Sequence, residues 1–437
     1  MNQPVHDKVR IEQQLERIRA HNTRLRALIT EPQPHSLWQQ VTRSAAQPDS
    51  LLGGMTLSIK DNIDTDFAPT TAGAAFWQDR QPAANAVVVQ RMLAAGGIPM
   101  GKANMTELAW GVRSDSATGG QCLNPLDERR IAGGSSGGSA ASVAAGFCDA
   151  SLGTDTGGST RIPAAFCGLY GLRPTYGALP NTGVLPLSSS HDTVGIVARS
   201  VDAVARIFTA LAGYCPQDPA SRRQPPAPVW PGLQDGVAGL RIGIPENYYF
   251  AYCTEEISQQ VMQTARFLQE RGATLVSIDL PDAITAFEHA ACIMSTEVSS
   301  LYDERLRTAP DSISAPVRQR MLQAYEDYGA FDVARAHQFR ARWRWQLARL
   351  YGPQVDLSLI PATPTTAPLL NDERSLLQAT RDLARNTYPS ALAGIPSLAV
   401  PCGQSADGMP IGLLLESAWG REDLLLRVAR TIENSQT

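Results

Sequence analysis

The chain has 437 residues, of which 43% are hydrophobic and 18% charged, a composition typical of soluble globular proteins. The formal net charge of −4 argues against the basic surface that binding to nucleic acid or to an anionic membrane requires. Seven scattered cysteines without a C-x-x-C pair argue against a disulfide framework and a zinc site. The charged N-terminus lacks the apolar segment of a signal peptide, so we expect a cytoplasmic protein.

The first predicted element is an amphipathic helix over residues 7–29. Apolar residues with helical spacing fall on one face of it, namely Val9, Leu15, Ile18, Leu25 and Leu28. After a Gly-Gly break, the short apolar run 55–59 predicts a buried strand that ends at Lys60.

Strand and helix patterns alternate over most of the remaining chain. The predicted helices are 85–95, 201–211 and 256–271, and the predicted strands are 98–100, 150–152, 240–244, 274–278, 355–360, 397–400 and 411–415. This alternation predicts an α/β fold with a large mixed, mostly parallel β-sheet flanked by helices on both faces. The Pro-rich stretch 216–236 lies inside the pattern and is interpreted as a surface loop, so we expect one domain over residues 1–437.

A mainly helical insertion on the substrate side is predicted over residues 283–350. It contains a run of arginines and tryptophans, Arg340, Arg342, Trp343, Arg344 and Trp345. A solvated helix with one tryptophan packed inward is the favoured interpretation, and an anion-binding role is the alternative.

Two glycine–serine clusters, residues 133–138 and 153–159, stand out from the rest of the chain. Dense glycines let a backbone approach a ligand and turn its N–H groups toward it, which can stabilise an oxyanion. A flexible linker is disfavoured because a small-residue helix pattern lies between the clusters. A phosphate loop is disfavoured because neither G-x-x-x-x-G-K-[ST] nor G-x-G-x-x-G is present. Composition alone leaves a nucleophile site and a purely structural loop open.

Several motifs together resemble the amidase signature family of serine hydrolases. GGSSGGSAA at 133–141 and GTDTGGSTRIPA at 153–164 are similar to the family's two central motifs. LSIKDNID at 57–64, GKANMTELAWG at 101–111 and GLRPTYGALP at 171–180 follow the family pattern in the same order. The resemblance extends from about residue 50 to the C-terminus and implies the amidase signature fold.

The resemblance implies a Ser–Ser–Lys catalytic triad. The nucleophile would be Ser159, the bridging serine, often preceded by a cis peptide bond, would be Ser135, and the lysine would be Lys60. Backbone N–H groups of the oxyanion hole would come from Thr156, Gly157, Gly158 and Ser159. Supporting positions would be Asp155 and Arg161, together with Gly134 and Ser136 of the first cluster, of which Ser136 is the best N-cap of the following helix.

This chemistry requires an unprotonated lysine, because a serine hydroxyl needs a base to become a nucleophile. Burial disfavours charged lysine and lowers its pKa, and the apolar strand before Lys60 is consistent with burial. Without the resemblance, Lys60 would be interpreted as a surface lysine and Ser135 as a helix N-cap. A second candidate base is His191, next to Asp192, although no G-x-S-x-G elbow surrounds Ser159.

The resulting prediction is an amidohydrolase that cleaves a linear carboxamide or ureido C–N bond of a small molecule through an acyl-enzyme. Ammonia or an amine would be released, without a cofactor or a metal ion. The expected partner is the small-molecule amide alone, without nucleic acid or membrane, and a homodimer is left open.

Two alternatives remain at this point. A glutaminase-type subunit of a tRNA-dependent amidotransferase would have a similar core, but such subunits usually carry an aspartate several residues before the LAG segment. Ala384 occupies that position here, with Asp382 nearby. An inactive scaffold is disfavoured because Lys60, Ser135 and Ser159 are all present.

Overall fold

The computed structural model describes residues 3–47, 49–245 and 247–435, with side chains from Lys8 onward. Eleven strands form one sheet. In chain order they are β1 (Leu28–Thr30), β2 (Thr56–Lys60), β3 (Ile98–Ala103), β8 (Ala150–Thr154), β9 (Tyr170–Arg173), β10 (Val194–Ala198), β11 (Arg241–Pro245), β12 (Thr274–Ile278), β13 (Leu357–Pro361), β14 (Ser397–Gln404) and β15 (Pro410–Ser417). The remaining described strands form two small hairpins. One pairs β4 (Asp115–Ser116) with β5 (Gly120–Gln121), and the other pairs β6 (Leu123–Asn124) with β7 (Asp127–Ile131).

The strand order in the large sheet is β1-β3-β2-β8-β10-β9-β14-β15-β13-β11-β12. Parallel pairing joins β2 to β3 and β8 on one side, and β11 to β12 and β13 on the other. The centre of the sheet is antiparallel from β8 to β13. The predicted mixed α/β class is confirmed, and among the described strands of the large sheet six antiparallel pairings outnumber four parallel ones. The excess comes from the centre, where β14 and β15 form a hairpin closed by Ser405 N–H donating to Met409 O.

The described helices are α1 (Gln3–Leu25), α2 (Pro34–Ala45), α3 (Val87–Ala94), α4 (Gly137–Ala144), α5 (Arg161–Phe166), α6 (Val201–Leu211), α7 (Glu255–Glu270), α8 (Ala283–Leu301), α9 (Asp303–Thr308), α10 (Ala315–Asp327), α11 (Ala330–Leu350), α12 (Leu376–Leu383), α13 (Tyr388–Ala393) and α14 (Glu422–Glu433). Helices α3, α6, α7 and α14 cover one face of the sheet. The other face carries α4 and α5, with α8, α10, α11 and α13 packed farther out. Most sheet strands are buried on both faces, which explains their near-continuous apolar sequences.

The N-terminal helix differs from its prediction at the C-terminal end. It ends at Leu25, and Leu28 instead begins β1, where it pairs with Ala103 of β3. Arg26, at the turn, has a φ of 51°, a left-handed conformation that a helix does not continue through. Val9 is 49% exposed rather than part of the buried face.

The polar residue Gln14 explains the shifted face of α1. It lies in the buried stripe with Ile11 and Ile18, where its amide donates to Asp149 and accepts from Thr56 Oγ1. A buried amide is tolerated when its hydrogen bonds are satisfied, and an apolar periodicity count does not include such residues.

The parallel strands β2 and β8 position Lys60 and the two glycine–serine clusters. Both strands run in the same direction, so their carboxyl ends meet at one edge of the sheet. Lys60 ends β2 and Thr154 ends β8. The second glycine–serine cluster begins in the last two residues of β8, and the first continues into the start of α4, which packs on β2 and β8.

Candidate active site

Lys60 is fully buried at the end of β2. Its Nζ lies 2.8 Å from Ser135 Oγ and 2.7 Å from Thr154 Oγ1. Asn62 Nδ2 donates to the same Thr154 hydroxyl at 3.2 Å. Burial lowers the pKa of Lys60 to about 7, although the carboxylates of Asp155 and Asp192 act in the opposite direction. A substantial fraction of Lys60 is therefore unprotonated at neutral pH and can accept a proton.

Ser135 is fully buried beside this lysine. The Gly134–Ser135 peptide bond is cis, as the family resemblance implied. The Ser135 carbonyl oxygen accepts from Thr106 N–H at 3.1 Å. A Cβ on Gly134 would lie 2.7 Å from the backbone carbon of Val112, so only glycine fits at this close approach.

Ser159 is half-buried and lines a cavity next to this pair. Its backbone oxygen accepts from Ser136 N–H at 3.0 Å, which holds the two glycine–serine clusters together. Within the described residues no hydrogen bond joins the Ser135 and Ser159 side chains. Such contacts are often long in a free enzyme and tighten when substrate binds.

The backbone amides before Ser159 differ in their availability. Gly158 N–H donates to Asp155 Oδ1 at 2.7 Å and is therefore occupied. The N–H groups of Thr156, Gly157 and Ser159 have no partner in the part of the chain that the structure describes. These three are the candidate oxyanion donors.

Asp155 is the centre of a fully buried ion network. Arg161 donates to both of its carboxylate oxygens, at 2.9 and 3.0 Å, and Arg173 lies 3.2 Å from Oδ1. Burial alone would raise the pKa of Asp155, but the two guanidinium groups outweigh burial and hold the pKa well below its usual range. Asp155 therefore stays ionised and fixes the loop that carries Ser159.

Ser136 precedes α4, as predicted, but its side chain does not cap that helix. Its hydroxyl donates to Thr154 O at 3.0 Å, which links the first cluster to the end of β8. Ser114 Oγ instead accepts from Gly137 N–H at 2.8 Å. The helix is thus capped by a residue distant in sequence, which local capping patterns do not reveal.

His191, the second candidate base, is fully buried but is not hydrogen-bonded to Ser159. Its Nδ1 lies 3.1 Å from Ser188 Oγ and 2.9 Å from Ser190 Oγ. Burial lowers the pKa of His191 well below its usual value, and Arg340 and Arg173 add to that effect. The neighbouring Asp192 accepts from Thr156 Oγ1 at 2.6 Å, so this segment supports the oxyanion loop.

The cavity at Ser159 has a volume of about 20 Å³, which is room for about one water molecule. Sequence reasoning did not identify several of the side chains in its wall, Trp110, Leu187, Met294, Arg320, Thr380 and Tyr388. Arg320 also lines an outer cavity of about 520 Å³. Arg320 therefore lies between the two cavities.

Arg320 is a buried cation without a carboxylate partner in the described part of the chain. Its guanidinium carbon lies 3.4 Å from the centre of the Trp110 ring, and Nη1 lies 3.4 Å from Thr380 Oγ1. Its Nε has no hydrogen-bond partner. Ala384, 1% exposed, lines the same cavity.

Comparison with known proteins agrees with this geometry. Residues 10–426 match the model of the Amidase family. The chain belongs to the amidase family. The resemblance found in the sequence is thereby confirmed.

Three relatives of this amidase illustrate the range of the family. One is a glutamyl-tRNA(Gln) amidotransferase subunit of Synechococcus sp. (strain RCC307), 34% identical over 97% of this chain and 93% of that protein. A solved structure described as "An unexpected vestigial protein complex reveals the evolutionary origins of an s-triazine catabolic enzyme" has a TM-score of 0.91 and 32% identity, covering 98% of this chain and 95% of that one. The structure of a peptide amidase in complex with chymostatin has a TM-score of 0.85 and 28% identity, and the match covers 100% of this chain and 96% of that one.

These descriptions correct one expectation. The sequence led us to expect only a small-molecule amide as partner, with no nucleic acid or membrane and at most a second copy of the chain. That prediction is wrong, because relatives over nearly the whole length are described as belonging to a tRNA amidotransferase and to a protein complex. The catalytic motifs of a sequence indicate the chemistry of its site, but they do not indicate which surfaces bind other chains.

Membrane-spanning and metal-binding features do not occur among the described residues. None of the described helices is both long and apolar enough to cross a membrane. No group of three or more His, Cys, Asp or Glu side chains in that part of the chain is arranged to hold a metal ion.

Proposed function

We propose that this amidase hydrolyses the C–N bond of a small carboxylate-bearing amide through an acyl-enzyme on Ser159, as a member of a complex with another protein. The observation that carries the proposal is the fully buried Lys60 amine, 2.8 Å from Ser135 Oγ, next to a cavity lined by Ser159. An unprotonated amine in that position can deprotonate serine, and an exposed, protonated lysine cannot.

The proposed reaction begins with proton transfer along this relay. Ser159 Oγ attacks the amide carbonyl while its proton passes to Ser135 and the Ser135 proton passes to Lys60. The N–H groups of Thr156, Gly157 and Ser159 stabilise the oxyanion. The relay then returns a proton to the leaving nitrogen as the C–N bond breaks. Water attacks the ester by the same relay, which releases the carboxylic acid and restores the Ser159 hydroxyl.

The environment of Arg320 favours a substrate that carries an acidic group. Its guanidinium is buried at the cavity with one N–H unpaired, and an unpaired buried cation is costly. A substrate carboxylate would provide a counter-charge and form charge-assisted hydrogen bonds. Arg320 lines both this cavity and the larger outer one, so the acidic group would lie on the side of the outer cavity.

Glutamine hydrolysis is the second candidate, and the names of the relatives favour it. Glutamine carries both a carboxylate and an ammonium group. None of the described residues around the Ser159 cavity is acidic, and Ala384 lines it at the position where an aspartate was considered. An ammonium group inside this cavity would therefore have no counter-charge, and Asp115 is the acidic residue that lines the outer cavity. Arg320 lines both cavities and would repel an ammonium group next to the carboxylate, which supports an amide acid without an amine as the better substrate.

Ammonia release from three matched amides tests this choice. Glutaramate is glutamine without the ammonium group, and pentanamide has neither charged group. We expect the highest kcat/KM for glutaramate, and we expect Arg320→Gln to lower it about 10- to 100-fold while changing pentanamide turnover little. A preference for glutamine would reject the first candidate in favour of the second.

The nucleophile is tested with Ser159→Ala and a serine-reactive fluorophosphonate probe. The wild-type protein should release ammonia and become labelled, and the variant should do neither. Turnover that persists in Ser159→Ala would refute the assignment. Labelling of Ser159 without turnover of any amide would show that the serine is activated but would reject the proposed substrates. Ammonia release would then be measured again with the purified complex of this protein and its partner.

A further inference from the structure

Helix α11 is a strongly basic element on an acidic chain. It contains five arginines and a single acidic residue, Asp332, whereas the whole chain has a net charge of −4. Arg335 lies 3.6 Å from the Asp332 carboxylate and Arg342 lies 4.0 Å from that of Asp282. Arg340 and Arg344 have no carboxylate within ion-pair distance among the described residues.

Arg340 and Arg344 lie on the same side of α11, because residues four apart in a helix are neighbours. Arg344 places its guanidinium carbon 5.5 Å from the centre of the Trp419 ring. Arg340 Nη2 donates to Ser190 O at 2.7 Å, while its Nε has no hydrogen-bond partner. Like charges at this spacing destabilise a helix. The presence of both arginines on this side of α11 is therefore not explained by helix stability.

A third arginine, Arg222, approaches the same place from the loop before β11. A Cβ on Gly177 would lie 3.2 Å from Arg222 Cγ, and Arg222 N–H donates to Gly177 O at 2.9 Å, so Arg222 packs beside the residue that follows Tyr176. The Tyr176 hydroxyl donates to Ser189 O at 2.7 Å, next to the Ser190 carbonyl that Arg340 holds.

The Tyr176 backbone connects this site to Trp419. Its N–H donates to Gly394 O at 3.1 Å, and Trp419 Nε1 donates to the adjacent Ala393 O at 3.1 Å. We call Tyr176, Arg222, Arg340, Arg344 and Trp419 together the arginine surface.

The charges of the arginine surface repel one another. Burial lowers the pKa of Arg340, and Arg344 lowers it further. Burial and then Arg222 lower the pKa of Arg344. Glu297 is the acidic residue that acts on Arg340 in the opposite direction, but its carboxylate already accepts from Ser188 Oγ and Ser190 N–H. An added anion would therefore be attracted by all three guanidinium groups.

A cavity of about 420 Å³ shares Tyr176 with the arginine surface, but its wall contains Asp192 and Asp218 and none of the three arginines. An acidic segment would therefore lie on the solvent side of the arginines and outside this cavity. Arginine combined with tyrosine and tryptophan is also the composition enriched at the centres of protein–protein interfaces.

We propose that the arginine surface binds an acidic segment of the partner protein. Glutamate or aspartate carboxylates of that segment would pair with Arg222, Arg340 and Arg344, and Tyr176 and Trp419 would supply contact area. The inference rests on the proposed function only in requiring a protein partner, because the charges of this surface do not depend on amide hydrolysis.

Binding of a fluorescein-labelled hexaglutamate peptide to the full chain, followed by fluorescence anisotropy, tests the inference. We expect the wild-type protein to bind, and Arg222→Glu combined with Arg344→Glu to weaken binding at least about tenfold. Salt should weaken wild-type binding as well. The matched control is Arg266→Glu, an exposed arginine on α7 on the opposite face of the sheet, which should bind within about twofold of wild type.

The proposal would be overturned if the wild type and the double variant bound the peptide equally well. It would also be overturned if Arg266→Glu weakened peptide binding as much as the double variant does. Tighter binding of a hexauridylate RNA or of phosphatidylserine vesicles than of the peptide would also overturn it in favour of another class of partner. Ammonia release, measured on the same samples, should be unchanged in the double variant. Absence of turnover with arginine-dependent peptide binding would count against the proposed amide hydrolysis and leave the arginine surface supported.

Discussion

At the scale of single residues, the protonation state of Lys60 determines whether the proposed relay can operate. The amine is fully buried, and its neighbours in hydrogen-bond distance are two hydroxyl groups rather than carboxylates. Burial therefore outweighs the more distant carboxylates, and the pKa falls to about 7. The same residue on the surface would remain protonated at neutral pH.

The pH dependence of kcat/KM reports this state directly. Only unprotonated Lys60 accepts a proton, so we expect kcat/KM to rise with pH and to level off above an apparent pKa of about 7. Below that value activity should fall about tenfold per pH unit. Ammonia release on both sides of neutral pH measures the profile, and a profile that stays flat through neutrality would contradict the role of Lys60.

Lys60→Arg is the matched variant for this profile. Arginine keeps the positive charge and does not deprotonate in proteins, so activity should be absent at every pH tested. Thermal unfolding would show whether the variant is folded, and activity in a folded Lys60→Arg protein would exclude lysine as the base.

At the scale of secondary-structure elements, α1 shows how a helix attaches to the domain core. Ile11 and Ile18 are 0% and 1% exposed, and Gln14 between them bonds to Asp149 and Thr56. The helix therefore packs on its own chain through an apolar stripe that contains one satisfied polar contact.

Ile18→Ala should lower the free energy of unfolding by about 2–5 kcal/mol, because it leaves a cavity under the helix. Val9→Ala, on the exposed side of the same helix, should change it by no more than about 0.5 kcal/mol. Urea denaturation followed by circular dichroism compares the two. Equal effects would show that the helix does not pack through this stripe.

At the scale of the whole molecule, the Asp155 network joins distant parts of the chain. Arg161 binds Asp155 and also donates to Thr387 O at 3.1 Å and to Ser390 Oγ at 2.9 Å. The loop that carries Ser159 is thus attached to α13 and its N-terminal flank, which lie far later in the chain. Disruption of this network should affect both stability and catalysis.

Asp155→Asn should destabilise the protein by about 3–5 kcal/mol, because it leaves two buried guanidinium groups without their counter-charge. The kcat should fall as well, since the Asp155 carboxylate holds Gly158 N–H. Glu12→Gln is the control, because it breaks an exposed ion pair with Lys8 and such pairs contribute little. Urea denaturation and ammonia release measure both effects, and a stable, active Asp155→Asn protein would contradict the proposed network.

The sequence predicted the fold class and most strands because the core strands are continuous apolar runs between glycine and proline breaks. Helix α6 was predicted with its observed bounds, and β12 likewise. The small hairpins were not predicted, since strands this short have no distinct periodicity. Helix α2, β9, β10 and α14 were also missed, and for them we have no single physical reason.

The sequence by itself determined the identities of Lys60, Ser135 and Ser159 as candidates, because unusual motifs resembling those of a known family surround each of them. It also placed Asp155 and Arg161 beside the nucleophile, since both belong to the same short motif. Residues close in sequence to a reactive group can be recognised from local pattern alone.

Only the tertiary structure decided which distant side chains complete the cavity. Arg320 lies on α10 and Ala384 directly follows α12, both far from the motifs, and their approach to Ser159 depends on packing over the whole chain. Tertiary packing likewise buried Lys60 and lowered its pKa, occupied Gly158 N–H with Asp155, and grouped Arg222 with Arg340 and Arg344. Burial and charge proximity arise from contacts between residues far apart in the chain, which the order of residues does not display.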